Sequence, residues 1–211
     1  MPDANPTVLV IDDDSDVRAS VGRLLRSLGL GVQLFASIAD FLGTDPPDGA
    51  TCLVLDVRLP GQSGLDLQRE LARAKRNIPI IFITGHGDIP MSVQAMKSGA
   101  IEFLTKPFRD QDLLDAIQLG LSRDRARREN EKALSDLRER FASLSPRERE
   151  IVIQVARGRL SKQIAYDIGI AEATVKVHRS RAMQKMKAAS LPELGRMAEK
   201  LKLVSDKLQR S

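Results

Sequence analysis

Tryptophan is absent and tyrosine and cysteine occur once each in this chain of 211 residues, whose aromatic content is 3%. The lone cysteine, Cys52, excludes a disulfide framework, and its place in the apolar run CLVL marks a small buried hydrophobe. With Tyr166 as the one tyrosine there is no aromatic platform for unpaired bases, which disfavours an RNA-binding surface. No apolar run approaches the roughly 20 residues that span a bilayer. The opening MPDANPTVLVIDDD also lacks a basic region followed by an apolar stretch, so a soluble cytoplasmic protein is expected.

The length fits two modest domains. A net charge of +5 conceals an asymmetry along the chain. Residues 1 to 121 hold 11 Lys/Arg against 16 Asp/Glu, residues 122 to 144 hold 7 against 5, and residues 145 to 211 hold 15 against 7. The net values are therefore −5, +2 and +8, and the basic end is the candidate for a polyanionic partner.

Up to residue 121 short β-branched or apolar runs alternate with segments of helical period, the pattern of a parallel sheet covered on both faces. TVLVI, GVQLF, TCLVL, IPIIFIT and AIEFLT read as strands. Helices are expected near Ser15 to Leu28, Ile38 to Leu42, Gly64 to Arg76, Pro90 to Ser98 and from Arg109 onward. Gly29, Gly31, Pro60, Gly61, Gly85, Gly87 and Gly99 punctuate the joins. The fold class is α/β, a five-stranded parallel doubly wound (βα)5 unit. Its fifth helix runs on without Gly or Pro from Leu121 to Leu144. Leu114, Ile117 and Leu121 give one apolar seam, and Leu134, Leu137, Phe141 and Leu144 another. Between them the segment is charged, so it reads as a solvated helical linker or as a short coiled coil pairing two chains.

Asp12, Asp13 and Asp14 follow the first strand and Asp56 follows the third, so neighbouring parallel strands deliver carboxylates to one sheet edge. Ligands of open α/β sheets bind outside the carboxyl ends of the strands where strand order reverses. Crowded carboxylates raise one another's pKa unless a cation joins them, and Mg²⁺ suits such oxygen donors. Thr84 and Lys106 end the fourth and fifth strands. Nucleophile, metal ligands, hydroxyl and ammonium are together what phosphoryl transfer to a carboxylate needs.

Through VIDDD, LDVRLPG, ITGHGD and LTKPF, residues 5 to 121 resemble a response-regulator receiver domain. The resemblance implies that Asp56 is the phosphoacceptor and that Asp13 and Asp56 bind Mg²⁺ with the main-chain carbonyl of Arg58, Asp12 acting largely through water. It further implies that Lys106 pairs with the phosphoryl group, and that Thr84 and Phe103 form a switch pair. Phe103 also has the plain reading of a core aromatic.

In the basic end, Ser145, Pro146 and Glu148 open a helix whose buried face is Ile151, Val152, Val155 and Ala156, and Gly158 ends it. SKQIAYDIG reads as a short helix stopped at Gly169, AEATVKVHRSRAMQKM as a third with Val175, Ala182, Met183 and Met186 inward, and LPELGRMAEKLKLV as a fourth. Two helices joined by a tight Gly-containing turn form helix-turn-helix grammar, in which the second helix enters the major groove of duplex DNA. That helix carries Lys176, His178, Arg179 and Arg181.

Residues 143 to 204 resemble a LuxR-type helix-turn-helix through SLSPRERE and SKQIAYDIGIAEATVKVHRSRAMQKM, with Lys162 where that family often has Asn. With TGHGDIPMSVQAMKSGA in the first domain, the chain is similar to FixJ-like transcriptional regulators of the NarL group. By that resemblance Thr174 and Lys162 touch phosphates, Lys176 and His178 touch bases or phosphates, and Arg179 and Arg181 touch the backbone. The final helix supplies the dimer contact.

The expectation is a receiver at 5–121, a helical linker at 122–142 and a four-helix helix-turn-helix domain at 143–204. A partner histidine kinase phosphorylates Asp56, the chains form a homodimer and bind double-stranded promoter DNA, and RNA polymerase is a further contact. Its only chemistry is self-directed phosphoryl transfer and loss. The rival is a phosphorelay or phosphate-sink protein whose basic domain is a tether.

Overall fold

The alternation of side chains along a strand puts neighbours on opposite faces, so runs that are apolar over most of their length require cover on both. The computed structural model describes residues 5–85 and 89–203. His86, Gly87 and Asp88 of the ITGHGD motif, and Val204, lie outside the described residues.

The strands are β1 (Thr7–Ile11), β2 (Gly31–Phe35), β3 (Thr51–Asp56), β4 (Ile80–Thr84) and β5 (Glu102–Thr105), in the order β2-β1-β3-β4-β5. Every pairing is parallel. Around the sheet run α1 (Ser15–Ser27), α2 (Ile38–Leu42), α3 (Gly64–Arg73), α4 (Ile89–Lys97) and α5 (Asp110–Ala142). Leu9, Ile11, Leu53, Leu55 and Phe82 pack with Phe41, Leu67, Leu71 and Ala95. Their strand neighbours Val8, Val10, Cys52, Val54, Ile81 and Ile83 pack with Val21, Leu25, Leu113 and Ile117. The period of two along each strand thus feeds two cores.

Helix starts follow side-chain caps. Asp14 accepts from the amides of Asp16 and Val17 at 2.8 and 3.3 Å, which opens α1 directly behind β1. Ser63 likewise caps α3 behind the loop that follows β3.

The chain divides into two compact units, Met1–Arg128 and Glu129–Ser211. Within the first, α5 lies so close to β3 that a Cβ on Gly120 would stand 2.6 Å from Cys52 Sγ. One turn later Asp124, 1% exposed, takes the Thr51 amide at 2.9 Å, the Arg127 guanidinium and Arg128 Nε at 2.7 Å. Arg128 also donates to the Asp48 and Pro47 carbonyls at 2.9 and 3.2 Å. These residues of the expected linker are therefore anchored on the sheet. Cys52, beneath them, is buried and its thiol is pushed up to about 12, by burial and then by the charge of Asp124. Residues 129–133 are exposed.

In the second unit Leu137, Phe141 and Leu144 pack with Val152, Ala182, Met186 and Leu194. Three of the four residues of the seam offered above as a coiled-coil stripe thus pack in the unit's own core. Its helices are α6 (Pro146–Ala156), α7 (Ser161–Ile168), α8 (Glu172–Met186) and α9 (Leu191–Lys200). A capping box of Ser145 and Glu148 opens α6. Gly169, at φ 68°, ends α7 in the left-handed conformation that glycine adopts without strain. Glu148 is buried and accepts from Lys185 at 2.7 Å and from the Ser145 amide at 2.8 Å, tying α6 to α8. Its carboxyl is held below the usual range, first by Lys185 and then by that amide.

Candidate functional site

β1 and β3 are adjacent and in register, Ile11 beside Leu55, so Asp12, which follows β1, and Asp56, which ends β3, emerge together where strand order reverses. Asp12 is fully buried and Asp56 is 6% exposed, whereas Asp13 is exposed. One oxygen from each of these carboxylates fits within a 4.8 Å cluster. Asp14, by contrast, is occupied as the α1 cap.

Lys106 reaches in from the end of β5. Its Nζ donates to Asp12 Oδ2 at 2.6 Å and to Asp56 Oδ2 at 2.7 Å. The other oxygens are held by main-chain amides, Asp12 Oδ1 by Asp14 and Asp56 Oδ1 by Arg58, both at 2.9 Å. Arg58 also pairs with Ser63 across the turn after β3. Gly64 approaches so closely that an added Cβ would collide with the Asp56 carbonyl oxygen. Burial pushes the Asp12 carboxyl up, and the bonds from Lys106 and Asp14 only partly offset it. Burial opposes the charge on Lys106 as well, but its bonds to Asp12 and Asp56 win and raise its pKa, keeping the ammonium protonated. Three carboxylates meet one ammonium, an excess of acidic oxygens that suits a divalent cation.

Thr84 is fully buried at the end of β4 and pairs in register with Thr105. Phe103 is partly buried in the first core, its ring 6.2 Å from that of Phe82. One residue unforeseen in the sequence belongs here: Arg18 of α1 donates to the Asp12 carbonyl at 2.6 Å. Its only sequence signal is its place four residues past the cap, where the first turns of α1 face back over the β1 end.

On α8, Val175, Ala182 and Met186 are fully buried and define the inward side. At 100° per residue the opposite side carries Ala173, Val177, Ser180, Arg181 and Gln184, all exposed. Val177 is 49% exposed, unusual for an aliphatic residue flanked by polar ones, and the sequence reading passed over it. Lys162, Thr174, Lys176 and Arg181 are exposed as expected. Lys176 pairs with Glu172 at 2.9 Å, which lowers the Glu172 carboxyl.

Arg179 and His178 are partly buried. Arg179 donates to Ser161 Oγ at 2.9 Å, spanning α8 to α7. His178 has its Nδ1 buried with no hydrogen-bond partner among the described residues. Both positions flank the core stripe on the helical wheel, which turns His178 Nδ1 and Arg179 Nη1 toward protein. The lining of the cleft between α7 and α9 adds Arg159 and Lys162 to this basic side. Among the described residues no helix is long and apolar enough to cross a membrane.

Compared with known proteins, residues 8–118 match the response regulator receiver domain and residues 142–198 match the bacterial regulatory proteins of the luxR family. The sequence is 54% identical to nodulation protein W of Bradyrhizobium diazoefficiens over 194 residues, 92% of this chain and 86% of that protein. It is 48% identical to the transcriptional regulatory protein FixJ of Azorhizobium caulinodans over 198 residues, 94% of this chain and 93% of that protein. The solved structure of response regulator StyR, 50% identical, superposes with a TM-score of 0.84 over 93% of this chain and 100% of that one.

Proposed function

This chain belongs to the response regulators that join a receiver domain to a LuxR-type DNA-binding domain, and from that premise we propose that phosphorylation of Asp56 by a partner histidine kinase controls its pairing and its binding to promoter DNA. The observation that carries the proposal is the Lys106 ammonium held between Asp12 and Asp56 at the carboxyl edge of the sheet.

In the proposed transfer an Asp56 carboxylate oxygen attacks phosphorus on a phosphorylated imidazole of the kinase. An O–P bond forms as the N–P bond breaks, and the electron pair returns to the imidazole nitrogen. Asp12, Asp13 and Asp56 supply the hard oxygens and net negative charge that suit Mg²⁺, with the Arg58 carbonyl as a further ligand. Bound there, Mg²⁺ would neutralise phosphoryl oxygens as charge builds on them. Lys106 is already charged and placed to follow those oxygens without reorganisation. Thr84 on β4 and Phe103 on β5 sit on neighbouring strands, which supports a coupled move of hydroxyl and ring. Water later removes the phosphoryl group, and no other catalysis is proposed.

The pairing surface is the face of α4, β5 and the start of α5. Ile89, Val93 and Met96 are exposed there at spacings of four and three along α4, and Phe103 and Lys106 connect that face to the pocket. Phosphorylation adds about 1.5 to 2 negative charges, enough to bias a two-state face. In the output domain, α8 lies in the major groove with Lys176, Val177 and Gln184 toward base edges and Lys162, Thr174 and Arg181 toward phosphates. Arg179 ties α8 to α7 through Ser161. The division into receiver, helical connector and output domain, a cytoplasmic location and a contact with RNA polymerase complete the reading.

The test is to treat the full chain with a small phosphodonor and Mg²⁺ and measure mass, oligomeric state and DNA retention. The unsubstituted chain should gain one phosphoryl group, dimerise and bind its site more tightly. Asp56→Asn should do none of these, and phosphoryl incorporation by that variant would overturn the assignment.

A further inference from the structure

Of the three carboxylates in the cation cluster, two are fixed through their own oxygens. Asp12 is held by Lys106 and the Asp14 amide, and Asp56 by Lys106 and the Arg58 amide. The Asp13 carboxylate is exposed and accepts no hydrogen bond among the described residues. What places it is its backbone. The peptide plane between Asp12 and Asp13 is pinned from one side by Arg18 Nη1, which donates to the Asp12 carbonyl oxygen at 2.6 Å. The preceding peptide, between Ile11 and Asp12, is held by the Asp12 amide, which donates to the Phe35 carbonyl at 3.3 Å. Arg18 is itself in the first turns of α1, with its amide bonded to the Asp14 carbonyl at 3.1 Å. Arg18 therefore closes a loop from β1 through the acidic turn into α1 and back onto the turn.

We infer that Arg18 is a positioning residue for the cation site: by fixing the Asp12–Asp13 peptide it presents the otherwise unheld Asp13 carboxylate to Mg²⁺. The opposing effect is electrostatic, since a guanidinium beside the site repels a cation. Arg18 is only partly buried, so water and salt screen that repulsion, while the hydrogen bond to a carbonyl inside the turn is short and local. The positional effect should win. Partners that orient metal ligands without touching the metal commonly matter tenfold or more to affinity.

The inference rests on the Mg²⁺ reading above, and one set of titrations separates the two. Mg²⁺ is titrated calorimetrically into the full unphosphorylated chain and into Arg18→Met, Arg18→Lys and Arg23→Met, with main-chain amide spectra recorded at each point. The unsubstituted chain and Arg23→Met, altered at an exposed α1 position, should bind alike. Arg18→Met should bind roughly tenfold more weakly. Its Asp12, Asp13 and Asp14 amide resonances should shift while those of β3 stay in place. Arg18→Lys, which keeps a donor, should recover part of the loss. Unchanged or tighter binding by Arg18→Met, or Arg18→Lys as weak as Arg18→Met, would overturn the role of Arg18. Failure of the unsubstituted chain to bind Mg²⁺ would instead sink the cation site itself. Should Arg18→Met not fold, Arg18→Ala, which also lacks a donor, carries the same expectation and the same refutation.

Discussion

In Met1–Arg128 the cation at the site, Lys106, has its ammonium turned inward onto Asp12 and Asp56, whereas in Glu129–Ser211 Lys162 of α7 and Arg181 of α8 stand exposed. The first arrangement suits a ligand of a few atoms, because stabilising a small transferred group requires donors already in place and shielded from water. The second suits a polymer. Phosphates spaced along a duplex are met by many exposed cations, each weak and each releasing a counterion. Both units also bury a carboxylate as a clamp, Asp124 in one and Glu148 in the other, so an inward-facing charge alone does not mark a reactive site. What distinguishes the Asp12–Asp56 edge is that its carboxylates exceed its cations and that one of them, Asp13, faces solvent.

The largest effect that would sharpen this contrast is structural. Asp124→Ala leaves the buried Thr51 amide without an acceptor and removes the carboxylate that Arg127 and Arg128 share, and should cost roughly 3 kcal/mol in denaturant unfolding. Exchange of the Thr51 amide hydrogen should accelerate in step. A loss confined to exchange in Glu129–Ser211 would contradict the anchoring of α5 on the first unit.

Next in size, Val177→Ala removes two carbons from the outward face of α8. It should weaken the specific duplex by about 1 to 1.5 kcal/mol and leave nonspecific DNA unaffected, as expected of contact with a thymine methyl. His178→Ala should change both duplexes less, because its Nδ1 faces the protein. If His178→Ala instead selectively abolished specific binding, the outward face would be wrongly drawn and the original sequence reading restored.

Acid should separate the clamps. The Glu148 carboxyl is depressed in the folded chain relative to its ordinary value of 4.5, so its contribution is fully present above that value and is lost as pH falls through the lower folded value. Hydrogen exchange along α6 and α8 should therefore rise below pH 4.5, and Glu148→Gln should flatten that rise. A rise of equal steepness in Glu148→Gln would remove Glu148 as its source. Smallest of all, Lys162→Ala should make the salt dependence of DNA binding shallower by roughly one ion, on specific and nonspecific duplexes alike. An unaltered slope would detach Lys162 from the phosphates.

Strand and helix positions were legible because their signals are local. TVLVI, GVQLF and TCLVL lie at their observed positions, and Ser145 and Glu148 announce α6 by a capping box read within four residues. The acidic edge was legible for a related reason. A carboxylate at the end of a buried strand has one place to go once the sheet is parallel, and the neighbours β1 and β3 both bring theirs to that edge. Arg18 escaped notice because its bond depends on how α1 lies against the β1 end, which no spacing in the sequence encodes. The apolar seam of Leu137, Phe141 and Leu144 was readable as a seam, but its partner was not, since a period of three and four fits packing on a neighbouring helix as well as a second chain.

The order of secondary elements, the two cores, the set of carboxylates at one edge and the basic character of the last third follow from residue type and periodicity along the chain. Tertiary structure decided which charges face inward. Asp124 reads in sequence like any linker acid until α5 is laid over Thr51, and Arg179 like any groove cation until α7 brings Ser161 within 2.9 Å. Hydrophobic pattern is a property of one element and survives being read alone. The partner of a charge lies on another element, and desolvation makes the choice of that partner a matter of three-dimensional packing.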